Sequence, residues 1–217
     1  MTPPRAIIFA NGSLPDLEAA RALLRPDDSL LAADGGTHHL LALGLLPSLV
    51  IGDLDSVTPD ERRRLEAAGI SLRQYPRDKN ETDLELALQT AVAAAHTEIL
   101  VVGALGGRLD QTLGNLSLLT APSLAGLDVR LDDGCEEAFF VRRRSEVRGR
   151  AGEIVSLLPW GGEVAGVTTR GLRWPLHDEP LFPDRSRGVS NELDGESAAV
   201  SIRSGLLLVV HRRNPRS

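Results

Sequence analysis

Several short polar segments in the first half of the chain combine acidic residues with glycines. Carboxylates that meet in a fold repel one another unless a cation lies among them. Because these segments contain no histidine or cysteine, oxygen is the available ligand atom, and a hard ion such as Mg²⁺ bound with a polyphosphate is the commonest case. Glycines beside the acids would let backbone N–H groups approach phosphate oxygens. The segments are Asp34–Gly36, Gly52–Ser56, Asp78–Asp83 and Gly106–Gln111.

Two cations stand within the same segments and could neutralise phosphate charge. Lys79 is the only lysine of the chain, and Arg108 precedes Asp110 by two positions. Each segment alone has an ordinary structural explanation, since Asp-Gly-Gly after a strand is more often a turn and Thr82 is typical of a helix N-cap. Their placement at successive strand ends is what favours a common site.

The elements that must position these segments are predicted from apolar periodicity. Short apolar runs, typical of buried strands, alternate with helical patterns, and Thr58 with Glu61 and Thr82 with Glu85 have capping-box spacing. This alternation predicts a mostly parallel sheet with helices on both faces, whose ligands bind beyond the carboxyl ends of the strands. The predicted strands are Ala6–Phe9, Leu30–Ala33, Leu49–Ile51, Ile70–Gln74 and Ile99–Val102, and the predicted helices are Leu17–Leu24, Thr37–Leu43, Pro59 to just before Gly69, Leu84–Ala95 and Leu109–Leu119.

The second half of the chain has a different pattern. From about Asp128, short β-prone runs follow one another with no helical pattern between them. They predict an all-β domain of sandwich type. We therefore expect an α/β domain over residues 1–143 and a β-sandwich domain over residues 144–217. The segment Pro175–Gly188, rich in proline and charge, is predicted to be a loop.

Composition excludes several classes of protein. The 217 residues include 42% hydrophobic residues. Their net charge of −6 argues against a dedicated nucleic-acid binder, because such a protein must neutralise phosphates. The longest nearly apolar stretch, Leu40–Gly52, is interrupted by Pro47 and Ser48, so no membrane partner is expected. Cys135 is the single cysteine and cannot form an internal disulfide, so we expect a cytoplasmic protein.

In their order along the chain, the four acidic segments Asp34–Gly36, Gly52–Ser56, Asp78–Asp83 and Gly106–Gln111 resemble motifs of the thiamine pyrophosphokinase (thiamine diphosphokinase) family. The second half continues the resemblance, and the ordered set covers nearly the whole chain. The segments similar to that family's thiamine-binding domain are Ser156–Pro159, Gly166–Thr168, Gly171–Leu176 and Ser190–Asn191.

The resemblance implies a homodimer in which each active site lies between the α/β domain of one subunit and the sandwich of the other. It implies transfer of the terminal diphosphoryl group of ATP to the hydroxyethyl oxygen of thiamine, which gives AMP and thiamine diphosphate. The implied catalytic residues are Asp53, Asp55, Asp83, Asp110 and Arg108. Mg²⁺ would be held by Asp53, Asp55 and Asp83; nucleotide and phosphates would be contacted by Asp34, Gly35, Lys79, Thr82, Arg108 and Gln111; and thiamine by Asp110 together with Ser190, Asn191 and Leu208 of the partner chain.

Two positions depart from the family pattern. Asn80 stands where an acidic residue is common, and Leu208 stands where some members carry a tryptophan that stacks on thiamine. Either an aliphatic contact replaces that stack or the acceptor is a different alcohol. The alternatives are therefore a pterin-alcohol pyrophosphokinase on the same scaffold and a non-catalytic sensor of nucleotide or thiamine diphosphate. The thiamine-binding type of second domain counts against the former, and the intact set of acids counts against the latter.

Overall fold

The computed structural model describes residues 5–213, and the chain divides into two compact units. The first unit ends at Gly134 and the second begins at Cys135. The boundary expected from the sequence, between residues 143 and 144, lies inside the second unit, where the chain passes from one strand to the next. As a division between two functional domains, it stays a prediction.

The first unit is an α/β structure with a parallel sheet. Its sheet has the strand order β6-β5-β1-β2-β3-β4, and every neighbouring pair is parallel. This confirms the mostly parallel sheet predicted for the first half. The elements are β1 (Ala6–Phe9), α1 (Leu17–Arg21), β2 (Ser29–Ala33), α2 (Gly36–Ala42), β3 (Leu49–Gly52), α3 (Pro59–Ala67), β4 (Ser71–Gln74), α4 (Asp83–Ala93), β5 (Glu98–Val102), α5 (Leu109–Leu118), a short 3₁₀ turn (Pro122–Leu124) and β6 (Asp128–Asp132).

The strand order reverses at β1, and this reversal locates the site. After β1 the chain builds the sheet outward through β2, β3 and β4, and then returns to place β5 on the other side of β1. All four residues of β1 are fully buried, as expected for a central parallel strand covered on both faces. In open α/β sheets the crevice beside such a reversal, at the carboxyl ends of the strands, is where ligands bind.

Local signals fix the starts of the two helices that flank the acidic segments. Before α3, the Glu61 backbone N–H donates to Thr58 Oγ1 at 3.3 Å, and the Thr58 N–H donates to Glu61 Oε2 at 2.9 Å, which confirms the capping box. Before α4, Thr82 Oγ1 accepts from the Glu85 N–H at 3.2 Å. Asp83 therefore begins α4 directly after its cap, and its carboxylate is held at the helix N-terminus.

The second unit is a sandwich of two antiparallel sheets. One sheet has the order β12-β9-β14-β7 and the other β11-β10-β13-β8. Alternate residues of both sheets, such as Leu157 and Val209 from one and Val147 and Val200 from the other, form a common core. The predicted all-β sandwich is confirmed. Its strands are β7 (Glu136–Val141), β8 (Arg144–Arg148), β9 (Ile154–Pro159), β10 (Val164–Arg170), β11 (Glu179–Leu181), β12 (Asn191–Glu192), β13 (Ser197–Ser201) and β14 (Leu207–Arg212).

Three strands of the sandwich, β8, β11 and the two-residue β12, lie outside the predicted β-prone runs. Within the predicted loop Pro175–Gly188, residues Glu179–Leu181 form β11 and pair with β10, so that part of the prediction is wrong. The sequence pattern does not indicate this strand because its central residue is a proline. The proline is tolerated there because β11 is an edge strand, which does not need every backbone N–H for sheet pairing. Strand β8 was also not predicted, because Val147 is its only apolar residue.

Within residues 5–213, no helix has the length and apolar character needed to cross a membrane.

Candidate functional site

A cavity of about 740 Å³ opens at the carboxyl edge of the parallel sheet in the first unit. It is lined by the loops that follow β1, β2, β3 and β5 and by the first residues of α4 and α5. Gly35 is the one predicted residue of this unit that does not line it. A methyl group on Gly35 would lie 2.3 Å from Asn11 Cγ, so the absence of a side chain at Gly35 leaves room for Asn11, which does line the cavity. The predicted residues that line it are Asp34, Asp53, Asp55, Lys79, Thr82, Asp83, Arg108, Asp110 and Gln111.

Three carboxylates converge on one side of this cavity. Asp34, Asp53 and Asp83 each offer an oxygen, and the three atoms all lie within 4.8 Å of one another. Asp34 is only 5% exposed, and its Oδ1 is buried without a hydrogen-bond partner in the described part of the chain. A buried carboxylate oxygen without a donor is costly unless a ligand completes it. The expected convergence of acids therefore exists, and the group includes Asp34.

Gly52, the last residue of β3, allows these acids to approach one another. A Cβ atom at this position would lie 2.9 Å from Asp34 Cβ and 3.0 Å from Asp83 Cγ. Its φ of +153° is also a conformation that side chains with a Cβ rarely adopt. The glycine beside the Asp53 segment is therefore needed for the packing of carboxylates.

Asp34 is held by its backbone in a left-handed conformation, with a φ of +44°. Its N–H donates to Ile51 O at 2.8 Å, and its carbonyl accepts from Thr37 Oγ1 at 2.8 Å. Two residues later, a Cβ on Gly36 would lie 1.9 Å from Phe9 O, so α2 starts in close contact with β1. The Asp-Gly-Gly segment is thus a turn, and the turn aims the carboxylate into the cavity.

Lys79 is the cation closest to the three acids. Its side chain is 12% exposed, and its Nζ lies 3.0 Å from Asp83 Oδ1. Burial alone would lower the pKa of Lys79, but the ion pair with Asp83 and the charges of Asp53 and Asp34 raise it above its ordinary value. Burial raises the pKa of Asp83, the charges of Asp34 and Asp53 raise it further, and Lys79 acts against them.

The charges and donor atoms of this group fit a divalent cation. Three carboxylates opposite one ammonium leave two negative charges uncompensated when all are ionised. The oxygen-only donor set is the one that Mg²⁺ prefers, and Asp34, Asp53 and Asp83 are the residues that could hold the ion.

Asp55 lines the same cavity but is not one of the three converging acids. Its backbone N–H donates to Asp53 Oδ1 at 3.1 Å, and its own carboxylate lies 3.6 Å from Arg77 Nε at an exposed position. Asp55 thereby orients Asp53, and its predicted direct contact with a metal stays a prediction.

Across the cavity, Arg108 and Asp110 form a bidentate pair at the start of α5. Arg108 donates from Nε to Asp110 Oδ1 at 3.1 Å and from its terminal nitrogen to Asp110 Oδ2 at 2.5 Å. The hydrogen bond from Arg108 lowers the pKa of Asp110 below its ordinary value. The carboxylate of Asp110 is therefore a weak base that can accept a hydrogen bond without taking the proton.

The loops after β1 and β5 add polar groups that were not among the predicted site residues. Asn11, Gly12 and Ser13 line the cavity next to Gly103, and the Gly12 N–H donates to Gly103 O at 2.8 Å. His39 reaches this loop from α2, with Nε2 at 2.9 Å from Gly12 O. The Asn-Gly pair at the end of β1 predicts this turn at a strand end, but no local signal indicates a contact with a histidine on a later helix.

In the second unit, Ser190 ends a turn and Asn191 begins β12, which pairs with β9. Ser190 is exposed with a φ of +57°, and its N–H donates to Ser156 Oγ at 3.0 Å. Asn191 is only 5% exposed: its Oδ1 accepts from the Trp174 N–H at 3.1 Å, and its Nδ2 donates to Trp174 O at 2.7 Å. The Asn191 carboxamide is thus engaged with backbone, and its contact with a ligand stays a prediction.

Leu208 lies in the middle of β14 and is 3% exposed. Its cross-strand neighbours are Phe140 on β7 and Leu158 on β9, both half-buried. Trp160 packs edge-on against Phe140, with ring centroids 5.4 Å apart. Any contact of Leu208 with a ligand would therefore come together with these neighbours, and it too stays a prediction.

The chain matches the models of two protein domains. Residues 20–131 match the model described as thiamin pyrophosphokinase, catalytic domain, and residues 141–207 match the thiamin pyrophosphokinase vitamin B1 binding domain. The chain is 31% identical over 182 residues to thiamine pyrophosphokinase of Bacillus subtilis, an alignment that covers 83% of this chain and 85% of the relative. It is 28% identical over 237 residues to thiamine pyrophosphokinase 1 of Oryza sativa, with 96% and 88% covered.

Solved structures give the same result for the fold. The crystal structure of thiamine pyrophosphokinase from Bacillus subtilis superposes with a TM-score of 0.87 at 27% identity, covering 97% of this chain and 99% of that one. The enzyme from Geobacillus thermodenitrificans superposes with a TM-score of 0.83 at 26% identity, with 97% and 98% covered. None of these similarities supports a pterin-specific enzyme or a sensor. The chain therefore belongs to the thiamine pyrophosphokinase family, whose members are ATP-dependent diphosphotransferases.

Proposed function

We propose that the cavity of the first unit binds ATP with Mg²⁺ and passes the terminal diphosphoryl group to thiamine, releasing AMP and thiamine diphosphate. The observation that carries this proposal is the convergence of Asp34, Asp53 and Asp83 beside Lys79. The group lies inside the segment that matches a catalytic domain.

The acidic side of the cavity is proposed to hold the metal. Asp53 and Asp83 keep the role that the sequence predicts, and Asp34 takes the third position. Asp55 orients Asp53 through its backbone N–H, and its side chain lines the cavity in which the phosphates would bind. When bound, Mg²⁺ would offset the phosphate charge that otherwise repels an incoming hydroxyl.

The remaining polar residues are proposed to position the two substrates. Lys79, Arg108, Thr82 and Gln111 would contact the nucleotide and its phosphates, and Lys79 keeps its charge because its acidic neighbours raise its pKa. The hydroxyethyl oxygen of thiamine forms a bond to the β-phosphorus, and the bond from that phosphorus to the oxygen shared with the α-phosphorus breaks, so AMP leaves with the electron pair. Asp110 is a weak base, so it orients the hydroxyl by accepting its hydrogen bond, and the proton passes to solvent water as the new bond forms.

The identity of the nucleotide product tests this reaction. With ATP, Mg²⁺ and thiamine, the purified protein should form AMP and thiamine diphosphate in equal amounts, with no ADP, as measured by chromatography of the products. A parallel reaction with a pterin alcohol in place of thiamine should yield no AMP. Formation of ADP, or turnover that requires the pterin alcohol, would contradict the proposal.

The thiamine side of the site is proposed to involve the outer face of the sheet β12-β9-β14-β7. Phe140 and Leu158 are half-buried on this face and flank Leu208, which is only 3% exposed, and Trp160 adds a second aromatic ring beside Phe140. Ser190 is tied to the same sheet through Ser156. An aromatic and aliphatic surface next to an exposed hydroxyl suits a cationic heteroaromatic ring, which is attracted to aromatic faces.

Tryptophan fluorescence tests whether thiamine binds at this surface. The chain has only two tryptophans: Trp160, beside Phe140, and Trp174, which lies elsewhere in the second unit. Thiamine should quench part of the fluorescence of the unmodified protein. Trp160→Phe should lose most of this quenching, whereas Trp174→Phe should keep it, although Trp174 is 48% exposed. The reverse pattern would place the thiamine ring near Trp174 and exclude the proposed surface.

We further infer a homodimer in which the second unit of one subunit completes the active site in the first unit of its partner. This follows from the family resemblance. The net charge of −6 and the single cysteine support a protein that works in the cytoplasm without nucleic-acid partners.

A further inference from the structure

Gly12 is held on both sides by contacts from two other elements: its N–H, in the peptide after Asn11, and its carbonyl, in the peptide before Ser13, each have a partner. The Gly12 N–H donates to Gly103 O, at the end of β5, at 2.8 Å. The Gly12 carbonyl accepts from His39 Nε2, on α2, at 2.9 Å. Because a carbonyl oxygen can only accept, Nε2 of His39 carries the hydrogen in this contact.

The packing around this contact is tight. A Cβ on Gly12 would lie 2.3 Å from Gly103 O, and a Cβ on Gly103 would lie 3.4 Å from His39 Cδ2. The imidazole ring therefore packs directly over the backbone of Gly103. Since α2 begins two residues after Asp34, the same short helix joins the loop after β1 to the segment that carries an acid of the site.

The contact sets the direction of a backbone donor. Gly12 and Ser13 line the cavity, but His39 does not, so the Gly12 carbonyl points away from the cavity toward His39. No peptide bond among the described residues is cis, and in a trans peptide the carbonyl and the following N–H point in opposite directions. The Ser13 N–H is thereby turned toward the cavity.

We infer that His39 is a positioning residue for the nucleotide: by holding the Gly12 carbonyl, it keeps the Ser13 N–H aimed at the phosphates of ATP. Without this hydrogen bond, the peptide of a glycine can rotate and turn its carbonyl oxygen toward an anionic ligand, which would repel it. The inference rests on the proposed function, because it assumes that the nucleotide lies in this cavity.

Two variants of His39 test the inference through the Michaelis constants. His39→Leu removes the donor, and loss of one such hydrogen bond should raise KM for ATP by about 5- to 10-fold. Its KM for thiamine and its kcat should stay within about 2-fold of the unmodified enzyme, because only ground-state binding of the nucleotide is weakened. His39→Gln keeps an N–H donor at nearly the same distance from the backbone and should restore KM for ATP.

His38 provides the matched control, because its Nδ1 lies 2.6 Å from Glu61 Oε1 and it contacts α3 instead of the loop. His38→Leu should leave KM for ATP unchanged even if it lowers Tm. If His39→Leu does not fold, His39→Asn replaces it, since the shorter carboxamide cannot reach Gly12 O.

The outcomes separate the inference from the proposed function. An unchanged KM for ATP in the variants without a donor, an equal rise in His39→Gln, or an equal rise in both Michaelis constants would overturn the positioning role while the enzyme still forms AMP. An unmodified protein that forms no AMP from ATP and thiamine would instead overturn the proposed function.

Discussion

Asp53→Asn should lower the rate of thiamine diphosphate formation by at least about 100-fold, because even residues behind a metal ligand affect affinity or activity by 10- to 100-fold. The substitution keeps the size of the side chain and an oxygen that can accept the Asp55 N–H. It removes one of the three charges that converge with Asp34 and Asp83. The loss should therefore come from metal binding and not from a change in the loop.

The same variant should have little effect on the thermal stability of the metal-free protein, in contrast to its large effect on the rate. The raised pKa of Asp83 means that the folded chain holds this proton more tightly than the unfolded chain does. In the absence of Mg²⁺, the contribution of Asp83 to stability therefore falls as the pH rises above the ordinary pKa of an aspartate. Asp53→Asn removes one cause of that penalty but also the attraction between Asp53 and Lys79, so at neutral pH Tm should change by no more than about 2–4 °C.

Thermal unfolding with and without Mg²⁺ measures this effect. The unmodified protein should gain stability from Mg²⁺, and Asp53→Asn should lose most of that gain. Asp27→Asn is the control, since it removes an exposed acid outside the cavity and should leave both activity and the response to Mg²⁺ unchanged. Full activity in Asp53→Asn, or an undiminished response to Mg²⁺, would show that the three acids do not hold the ion.

The centre of the sheet in the first unit could be predicted from the sequence because β1, β2, β3 and β5 are largely buried and are therefore nearly continuous apolar runs. Ala6–Phe9 is the clearest case, since all four residues are apolar and fully buried. Strands β8 and β11 could not be predicted in the same way. They have few apolar residues. The position of β8 depends on pairing with β13, which lies far along the chain, and β11 is a three-residue strand with a proline at its centre.

The site was predicted as far as strand ends determine it. Acids that follow neighbouring parallel strands must meet at one edge, and this logic brought Asp34, Asp53 and Asp83 to the same cavity. It could not predict which oxygens converge, because that depends on the conformation of Asp34 and the close approach at Gly52. It also could not show that the Asn191 carboxamide binds the backbone of Trp174, a contact across seventeen positions of the chain.

The second large effect is expected at Gly52, where adding a single methyl group should abolish the metal site. In Gly52→Ala the new Cβ would lie 2.9 Å from Asp34 Cβ and 3.1 Å from Asp83 Oδ1, so the two acids must move apart. We expect turnover to fall by at least about 100-fold, as for a lost ligand, together with the response of Tm to Mg²⁺. The φ of +153° adds strain of about 1–3 kcal/mol, so Tm should also fall.

Gly69→Ala is the control that separates the backbone strain of Gly52→Ala from the collision of its new methyl group with the acids. Gly69 also has a positive φ, of +71°, but an added Cβ there meets no atom within 4 Å. This variant should lose about 1 kcal/mol of stability, since alanine is strained in that conformation, and keep its turnover and its response to Mg²⁺. If Gly52→Ala behaved like Gly69→Ala, with a lower Tm and normal turnover, the acids could function while apart. Because the methyl group changes no charge, a loss of turnover seen only in Gly52→Ala would show that the spacing of the carboxylates, and not only their number, determines metal binding.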